Sequence, residues 1–337
     1  MWLRINGTER DEKVTTTKEG SATARVDVIV NCNAGRLHDG SELRRVLASE
    51  ARQGGAYLHE TRSLDELGSV ARQIAARGTQ AVVLAGGDGA HMAGLTAFAR
   101  AFDGVPPPTA LVPGGTVCTI ARNFGMRGSK RAWARRLVRA ACADNARVER
   151  RPTLRTHDDG DNDCVGFIFG AGLVGRFFEA YYASGAHGLG GAARLAARVL
   201  AGSLVSSPLA RTLLAPISCT VSLDGRPLGH RTWSLVLAST VRDVGLHIRA
   251  TYRAGEEDGR FHVVASGLSP RALGMQVPRV LLGRPMRGDP CVDSLARSLR
   301  VDFDGTEAYV LDGEMRWARY VHVEAGPVIK LLLPPQA

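Results

Sequence analysis

The stretch Ala81-Val82-Val83-Leu84-Ala85-Gly86-Gly87-Asp88-Gly89 decides the fold, because an apolar run leads straight into three glycines and a carboxylate. A short apolar run of this kind predicts a buried strand. Residues 90–100 are helix-forming and would follow the loop as a helix. Glycines let backbone amides approach phosphate oxygens without obstruction by a Cβ atom, and a helix N-terminus adds a positive dipole. The stretch therefore predicts a strand, a phosphate-binding loop and a helix in succession.

Asp88 needs a separate explanation, because a carboxylate would repel a bound phosphate. It fits the loop if it orients a metal-bound water, binds Mg²⁺ indirectly or accepts the proton of an attacking hydroxyl group. The structural alternative is a tight turn in which Asp88 caps the helix that follows. The local sequence leaves both interpretations open.

Strands and helices alternate on both sides of this stretch. The predicted elements are a strand at Val26–Asn31, a helix at Ser41–Gln53, a strand at Ala56–Thr61, a helix at Leu64–Arg77 and a strand at Thr109–Val112. This alternation is typical of a doubly wound α/β unit with a parallel sheet.

A second glycine loop follows the strand that ends at Val112. In Leu111-Val112-Pro113-Gly114-Gly115-Thr116 a strand again runs into glycines, and the Thr116 hydroxyl can donate to a phosphate. An ordinary Pro-Gly turn is the structural alternative. Two such loops on neighbouring strands indicate a phosphate site more specifically than one loop does.

The pattern changes after Arg150, where short alternating runs are separated by Gly, Asp and Pro turns. The runs are Cys164–Phe169, Ser218–Leu223, Trp233–Ser239, Arg260–Ala265, Arg300–Asp304 and Ala308–Leu311. They predict a mostly β second half. Between them Arg176–Thr212 has helical character, and no acidic residue lies between Glu179 and Asp224.

This cationic segment has two interpretations. Arg194, Arg198 and Arg211 could rest on anionic lipid while Leu195, Val199 and Leu200 enter the interface. Alternatively, the segment is a core helix with arginines along its edge.

Composition limits the function classes. The chain has 337 residues and a net charge of +10, and almost all of its positive charge comes from arginine. That length favours two domains. Aromatic residues make up only 6% and do not alternate with arginine, which argues against nucleic-acid binding. The six cysteines form no CxxC pair, and no apolar stretch approaches the ~20 residues of a membrane span. We therefore expect a cytoplasmic protein whose membrane contact is peripheral.

The order of the glycine motifs resembles a known family. The motifs are Asn31–Gly35, Gly86–Gly89, Gly114–Gly125, Phe169–Gly172, Asp258–Gly259 and Leu311–Glu314. Their order and spacing are similar to those of the diacylglycerol kinase catalytic domain family, which includes bacterial lipid kinases and sphingosine kinases. The resemblance covers the chain from Val26 onward.

The resemblance implies a domain organisation. After a disordered tail (1–25), it implies a doubly wound, NAD kinase-like α/β nucleotide-binding domain (26–150). A mostly β, sandwich-like lipid-binding domain (151–315) would follow, and 316–337 would return to the first domain. ATP would bind in the cleft between the domains.

The resemblance also implies roles for particular residues. The implied nucleotide contacts are Asn31, Thr61, Gly86, Gly87, Asp88, Gly89, Gly115 and Thr116. Asp258 would help to place Mg²⁺, and Asp88, Asp312 and Glu314 would be catalytic. The implied activity is ATP- and Mg²⁺-dependent phosphorylation of a diacylglycerol, ceramide or sphingoid-type lipid at a membrane surface. The alternatives are an NAD kinase-like enzyme that phosphorylates a soluble nucleotide, or a nucleotide- or lipid-binding protein with weakened catalysis.

Three departures from the family pattern keep these alternatives open. Ala90 stands where the family has Thr, the Asn-Glu expected soon afterwards is replaced around His91–Ala93, and Cys118 replaces an Asn. Each removes a polar group near the nucleotide. His91 could touch phosphate, but a lone histidine at a helix start favours a solvated side chain.

A competing motif is Gly170–Gly175, which matches GxGxxG after an apolar strand. A dinucleotide site would need an acid about 20 residues later to hold the ribose. The gap without acids after Glu179 argues against it, and no GxxxxGK[ST] phosphate loop occurs in the sequence.

Overall fold

The computed structural model describes residues 16–17, 25–115, 117–185, 188–205 and 207–335. The chain divides into two units. The first unit ends at Arg151 and resumes at Pro327, and the second is Pro152–Gly326. The predicted tail, 1–25, lies outside the described residues except for Thr16–Thr17 and Arg25.

In chain order the elements before Pro152 are β1 (Thr16–Thr17), β2 (Val26–Asn31), α1 (Glu42–Gln53), β3 (Tyr57–Thr61), α2 (Leu64–Arg77), β4 (Ala81–Gly86), α3 (Asp88–Ala101), β5 (Thr109–Pro113), α4 (Thr119–Asn123), α5 (Lys130–Cys142) and β6 (Arg147–Arg151). The strands of the second unit are β7 (Leu154–Asp158), β8 (Asp163–Gly166), β9 (Ile168–Gly172), β10 (Ile217–Leu223), β11 (Arg226–Pro227), β12 (Thr232–Trp233), β13 (Leu235–Ser239), β14 (Phe261–Ser266), β15 (Cys291–Ala296), β16 (Ser298–Leu311) and β17 (Glu314–Ala325). Its helices are α6 (Leu173–Ala183), α7 (Gly188–Leu204), α8 (Pro208–Leu213) and α9 (Pro270–Leu281), and β18 (Ile329–Leu333) lies in the first unit.

The first unit is a sheet in the order β1-β3-β2-β4-β5-β18-β6. Strands β3, β2, β4, β5 and β18 run parallel, and the helices between them cover the sheet so that β2, β4 and β5 are buried along their length. Ser41 and Ser63 cap the first two helices through their side chains. The predicted doubly wound α/β domain is confirmed.

Two boundaries of this unit differ from the prediction. Thr16–Thr17 pairs with β3 inside the segment predicted to be a disordered tail, because β3 otherwise leaves an open sheet edge. The return to the first unit occurs at Pro327 and not at residue 316, because β17 continues to pair with β16 and β7 as far as Ala325.

The second unit is largely β, as predicted. Its main antiparallel path is β15-β14-β13-β9-β16-β17-β7-β8, and β10 pairs with β16 and carries β11 and β12. The pairing of β16 shifts register between Asp302 and Glu307. One half of β16 then pairs with β10 and the other half with β9.

Helices α6 to α8 occupy the predicted helical segment. Leu195 and Val199 of α7 are buried in a core cluster with Leu213 and Leu273, so the idea that these two side chains enter a membrane interface is wrong. The alternative of a core helix is correct for this face of α7, and Arg194 and Arg198 lie on its exposed side. No helix in the described part of the chain is both long and apolar enough to cross a bilayer.

Candidate active site

The loops after β2, β4 and β5 meet at one edge of the parallel sheet. The carbonyl of Gly86 accepts hydrogen bonds from the N–H groups of Gly114 (2.6 Å) and Gly115 (3.1 Å). The N–H of Arg36 donates to the carbonyl of Gly114 (3.2 Å). The carboxyl ends of neighbouring parallel strands lie side by side, which is where ligands bind in folds of this class. The structure therefore brings the two glycine loops together.

The glycines allow the two loops to touch through their backbones. A Cβ atom on Gly115 would lie 2.6 Å from the Cα atom of Gly87, a separation that real side chains do not adopt. A Cβ atom on Gly114 would collide with the side chain of Leu37. These glycines are thus needed for loop packing as well as for any approach of backbone to phosphate.

Asp88 links the two loops through its side chain. Its Oδ2 accepts a hydrogen bond from the N–H of Thr119 (2.8 Å), and its Oδ1 accepts one from the N–H of Ile120 (3.1 Å). Asp88 therefore caps α4 and not its own helix, α3. Burial raises the pKa of Asp88, against the lowering effects of His91 and of these two hydrogen bonds.

His91 is buried, so the favoured prediction of a solvated side chain is wrong. Its Nε2 lies 3.1 Å from the carbonyl of Val112, which requires that Nε2 carry the proton and donate it. Burial lowers the pKa of His91, more than the neighbouring charge of Asp88 raises it. A neutral imidazole therefore fixes the end of β5 beside the glycine loop.

Helix α3 begins within the first glycine loop, at Asp88. Gly87 is the N-cap residue and supplies no side-chain hydrogen bond. The first N–H groups of a helix lack partners within the helix, and a phosphate can accept from them. This 14-residue helix therefore offers donors where the sequence predicted a phosphate loop.

Two cations flank the second glycine loop, and sequence reasoning missed both. The Nζ of Lys130 contacts the carbonyl of Gly115 and lies 3.1 Å from the Sγ of Cys118. Arg122 donates to the carbonyls of Val117 and Cys118. Lys130 could have been noticed as a rare lysine in a chain that otherwise uses arginine. Thr116, the predicted phosphate donor of this loop, lies outside the described residues.

Asn31 and Thr61 face each other across the parallel strands β2 and β3, and both side chains are buried. The Oδ1 of Asn31 accepts from the N–H of Asn33 (2.9 Å), and the hydroxyl of Thr61 donates to the carbonyl of Val30 (3.4 Å). A cavity of about 10 Å³ lies between Asn31, Thr61 and Ala90. It has room for roughly one water molecule beside the alanine that replaces the family's threonine.

In the second unit Asp312 forms the turn between β16 and β17. It adopts a left-handed backbone (φ 47°), followed by Gly313 (φ 87°). Its carboxylate accepts from the N–H of Phe167 (3.1 Å) and from the N–H of Ile168 (2.8 Å). The buried side chain of Asp312 therefore holds the turn and the start of β9 together.

Glu314 is the first residue of β17 and is half-buried. The hydroxyl of Tyr182 on α6 donates to the carbonyl of Gly313 (3.1 Å). Burial and the charge of Glu314 raise the pKa of Tyr182 to about 12. Asp312 and Glu314 thus share one turn, with an acidic side chain beside a phenol.

Asp258 lies in an exposed turn before β14. Its neighbours Glu256 and Glu257 form ion pairs with Arg253 and Arg260. Asp258 belongs to no group of three His, Cys, Asp or Glu side chains that could hold a metal ion, and the described residues contain no such group.

Comparisons with known proteins agree with this architecture. Residues 25–147 match the model of the family described as diacylglycerol kinase catalytic domain. A comparison with curated proteins found no match. The resemblance to this family that the glycine motifs indicated is therefore confirmed for residues 25–147.

Solved structures give the same fold. The chain is similar to a protein of Bacillus anthracis str. Sterne assigned to the diacylglycerol kinases, with a TM-score of 0.65 and 14% identity over 94% of this chain and 98% of that one. A diacylglycerol kinase of the same organism matches with a TM-score of 0.60 and 14% identity, over 94% of this chain and 99% of that one. At this identity the likeness supports the two-domain fold.

Proposed function

We propose that this chain is an ATP- and Mg²⁺-dependent kinase that transfers the γ-phosphate of ATP to a lipid hydroxyl group. The acceptor is a diacylglycerol, ceramide or sphingoid-type lipid, reached at a membrane surface by a peripheral, cytoplasmic protein. The observation that carries the proposal is the meeting of the Gly86–Gly89 and Pro113–Gly115 loops, inside residues that match a diacylglycerol kinase catalytic domain. Phosphoryl transfer depends mainly on positioning and electrostatic stabilisation, which such loops supply.

The residues of the first unit fit a triphosphate. The uncapped first turn of α3 offers backbone donors from Gly87 to Gly89. The N–H of Gly115 donates to the carbonyl of Gly86, so Gly115 holds the second loop beside this turn. Lys130 and Arg122 bring positive charge to that loop. Gly86 and Asp88 belong to the proposed nucleotide site, together with three further contacts that the sequence resemblance implies. These are Asn31, Thr61 and Thr116.

Mg²⁺ bound with ATP would neutralise charge on the transferred phosphoryl group. Asp258 fits a hard cation, because its carboxylate is exposed and forms no hydrogen bond or ion pair among the described residues. Mg²⁺ sites in kinases use one or two carboxylates and complete the coordination with substrate phosphates and water.

Glu314 is the proposed base that accepts the proton of the attacking lipid hydroxyl. Glu314 is half-buried, and its charge contributes to the raised pKa of Tyr182. Asp312, predicted as catalytic, would act by holding the turn that presents Glu314, since its oxygens accept backbone hydrogen bonds.

The test is a transfer assay with radiolabelled ATP, Mg²⁺ and single acceptors in detergent micelles. The acceptors are a diacylglycerol, a ceramide and a sphingoid base, with NAD as the soluble acceptor. We expect label in one lipid and none in NAD. Label in NAD alone would overturn the proposal in favour of an NAD kinase-like enzyme. ATP binding by calorimetry without transfer to any acceptor would instead indicate a binding protein.

A further inference from the structure

Helix α9 of the second unit has one buried face and one exposed apolar face. Leu273 and Gly274 are buried against the neighbouring helices. Met275, Pro278 and Leu282 follow at helical spacing on the outer side, where Met275 is 56% and Leu282 is 66% exposed. Leu281 is also exposed, at 46%. A stripe of large apolar side chains therefore faces away from the core.

The end of α7 packs against α9, the helix that carries this stripe. A Cβ atom on Gly274 would collide with the side chain of Ser203, so α7 and α9 touch closely at this point. Leu204 and Val205 follow Ser203 directly, and Val205 is 77% exposed. We call the set Leu204, Val205, Met275, Pro278, Leu281 and Leu282 the apolar surface.

The segment that carries most of the apolar surface is basic, and the first acidic residue after it is Asp289. Residues 268–288 contain four arginines and no acidic residue. The arginines are Arg271, Arg279, Arg284 and Arg287. None of them forms an ion pair with a carboxylate of the described residues, and Arg279 donates to the carbonyl of Pro285 (2.9 Å). Helices α6 to α8 add further arginines and contain only one acid, Glu179.

We propose that the apolar surface and the arginines beside it dock on an anionic lipid bilayer. An exposed apolar patch beside arginines that form no ion pair with a described carboxylate matches the composition of surfaces that insert into the headgroup region, where arginines meet lipid phosphates. Single-stranded nucleic acid fits less well, because the surface has no aromatic side chain on which bases could stack. The inference rests on the proposed function in one respect, since a lipid acceptor has to be reached at a membrane.

The experiment is sedimentation of the full chain with vesicles, in the absence of ATP. Vesicles of phosphatidylcholine are compared with vesicles that also contain phosphatidylglycerol. We expect binding to the anionic vesicles that weakens as salt is raised. The double variant Leu281→Glu/Leu282→Glu should bind these vesicles about tenfold more weakly, because it loses apolar burial. The variant Arg284→Glu/Arg287→Glu should lose a similar factor on anionic vesicles only.

Two matched variants control for charge and exposure. Leu64→Glu changes a leucine that is 51% exposed in the first unit, and Arg226→Glu reverses an exposed arginine on β11. Both should bind vesicles as the unchanged chain does. All four variants alter exposed positions, so we expect unchanged thermal unfolding, and a variant that keeps its unfolding midpoint tests docking alone.

Several outcomes would overturn docking. They are a failure of the unchanged chain to bind anionic vesicles, equal binding by the Leu281→Glu/Leu282→Glu variant, and tight binding of RNA in place of vesicles. Kinase activity separates this inference from the proposed function. Docking variants should phosphorylate micellar lipid normally and vesicle lipid poorly. Vesicle binding by a chain that phosphorylates no lipid would support docking and refute the kinase.

Discussion

Two Asp-Gly pairs use their aspartate side chains in the same way, although the chain that follows them differs. They are Asp88-Gly89 at the start of α3 and Asp312-Gly313 in the turn between β16 and β17. The carboxylate of Asp88 accepts N–H groups at the start of α4, and that of Asp312 accepts N–H groups at the start of β9. In both cases the aspartate side chain accepts hydrogen bonds from a segment that is distant in sequence. Beyond Asp88 the chain presents helix amides, which suit an anion, whereas beyond Asp312 it presents the carboxylate of Glu314, which suits a proton.

The largest expected effect concerns Glu314, the carboxylate that follows the Asp312-Gly313 turn. We expect Glu314→Gln to lower phosphoryl transfer by about 10²–10⁴-fold, because a general base is lost. The unfolding midpoint should not change, since the substitution keeps the shape of a half-buried side chain. Transfer assays and thermal unfolding measure the two properties. Glu324→Gln, at the other end of β17, is the matched control and should remain active. Full activity of Glu314→Gln would mean that the base lies elsewhere.

The second prediction tests whether the hydrogen bonds that the Asp312 carboxylate accepts stabilise the fold. Asp312→Ala should lower the free energy of unfolding by about 2–4 kcal/mol, because two buried N–H groups lose a charged acceptor. Alanine also tolerates the left-handed backbone poorly. Asp312→Asn keeps an acceptor oxygen and suits that backbone, so it should lose less. Urea unfolding of the unchanged chain, Asp312→Ala and Asp312→Asn measures the order of their free energies of unfolding. Equal values would contradict a stabilising role of the Asp312 carboxylate.

Asp88 should give a smaller change in stability. Asp88→Ala removes the acceptor of the Thr119 and Ile120 amides, at a cost of roughly 1–3 kcal/mol. Part of this is recovered because burial of the charge, which raises the pKa of Asp88, also costs stability. Asp88→Asn separates the two roles. If it unfolds like the unchanged chain and has lost transfer, the charge itself takes part in the reaction; if it retains both properties, the cap is sufficient.

The sequence predicts a feature of the fold or of the candidate site when the contacts that form it are close in sequence. The glycine loops follow directly from strands, so a local pattern identifies them. The partners of Asp88 lie 31 positions away, and those of Asp312 lie 145 positions away at Phe167, so only the folded chain selects them. Helix α9 was missed for a different reason, because Pro278 in its interior argues against a helix. Packing on α7 overrides that local signal.

The smallest predicted effect concerns the neutral His91 that holds the end of β5. Because burial lowers its pKa, the folded chain binds a proton at His91 less readily than the unfolded chain does. The stabilising contribution is therefore present above the ordinary histidine pKa of about 6.5 and is lost as pH falls through the lowered value. Asp88 acts in the opposite sense, since its raised pKa makes the folded chain take up a proton earlier as pH falls.

Comparison with His91→Gln isolates the histidine, because glutamine can still donate to the carbonyl of Val112 without titrating. Unfolding by urea at a series of pH values should show the unchanged chain losing about 1 kcal/mol more than the variant between pH of about 6.5 and about 5.5. Parallel pH profiles for the two proteins would mean that His91 is solvated or already charged in the folded chain. His91 would then not hold the end of β5 beside the glycine loop, whose backbone amides are proposed to bind phosphate.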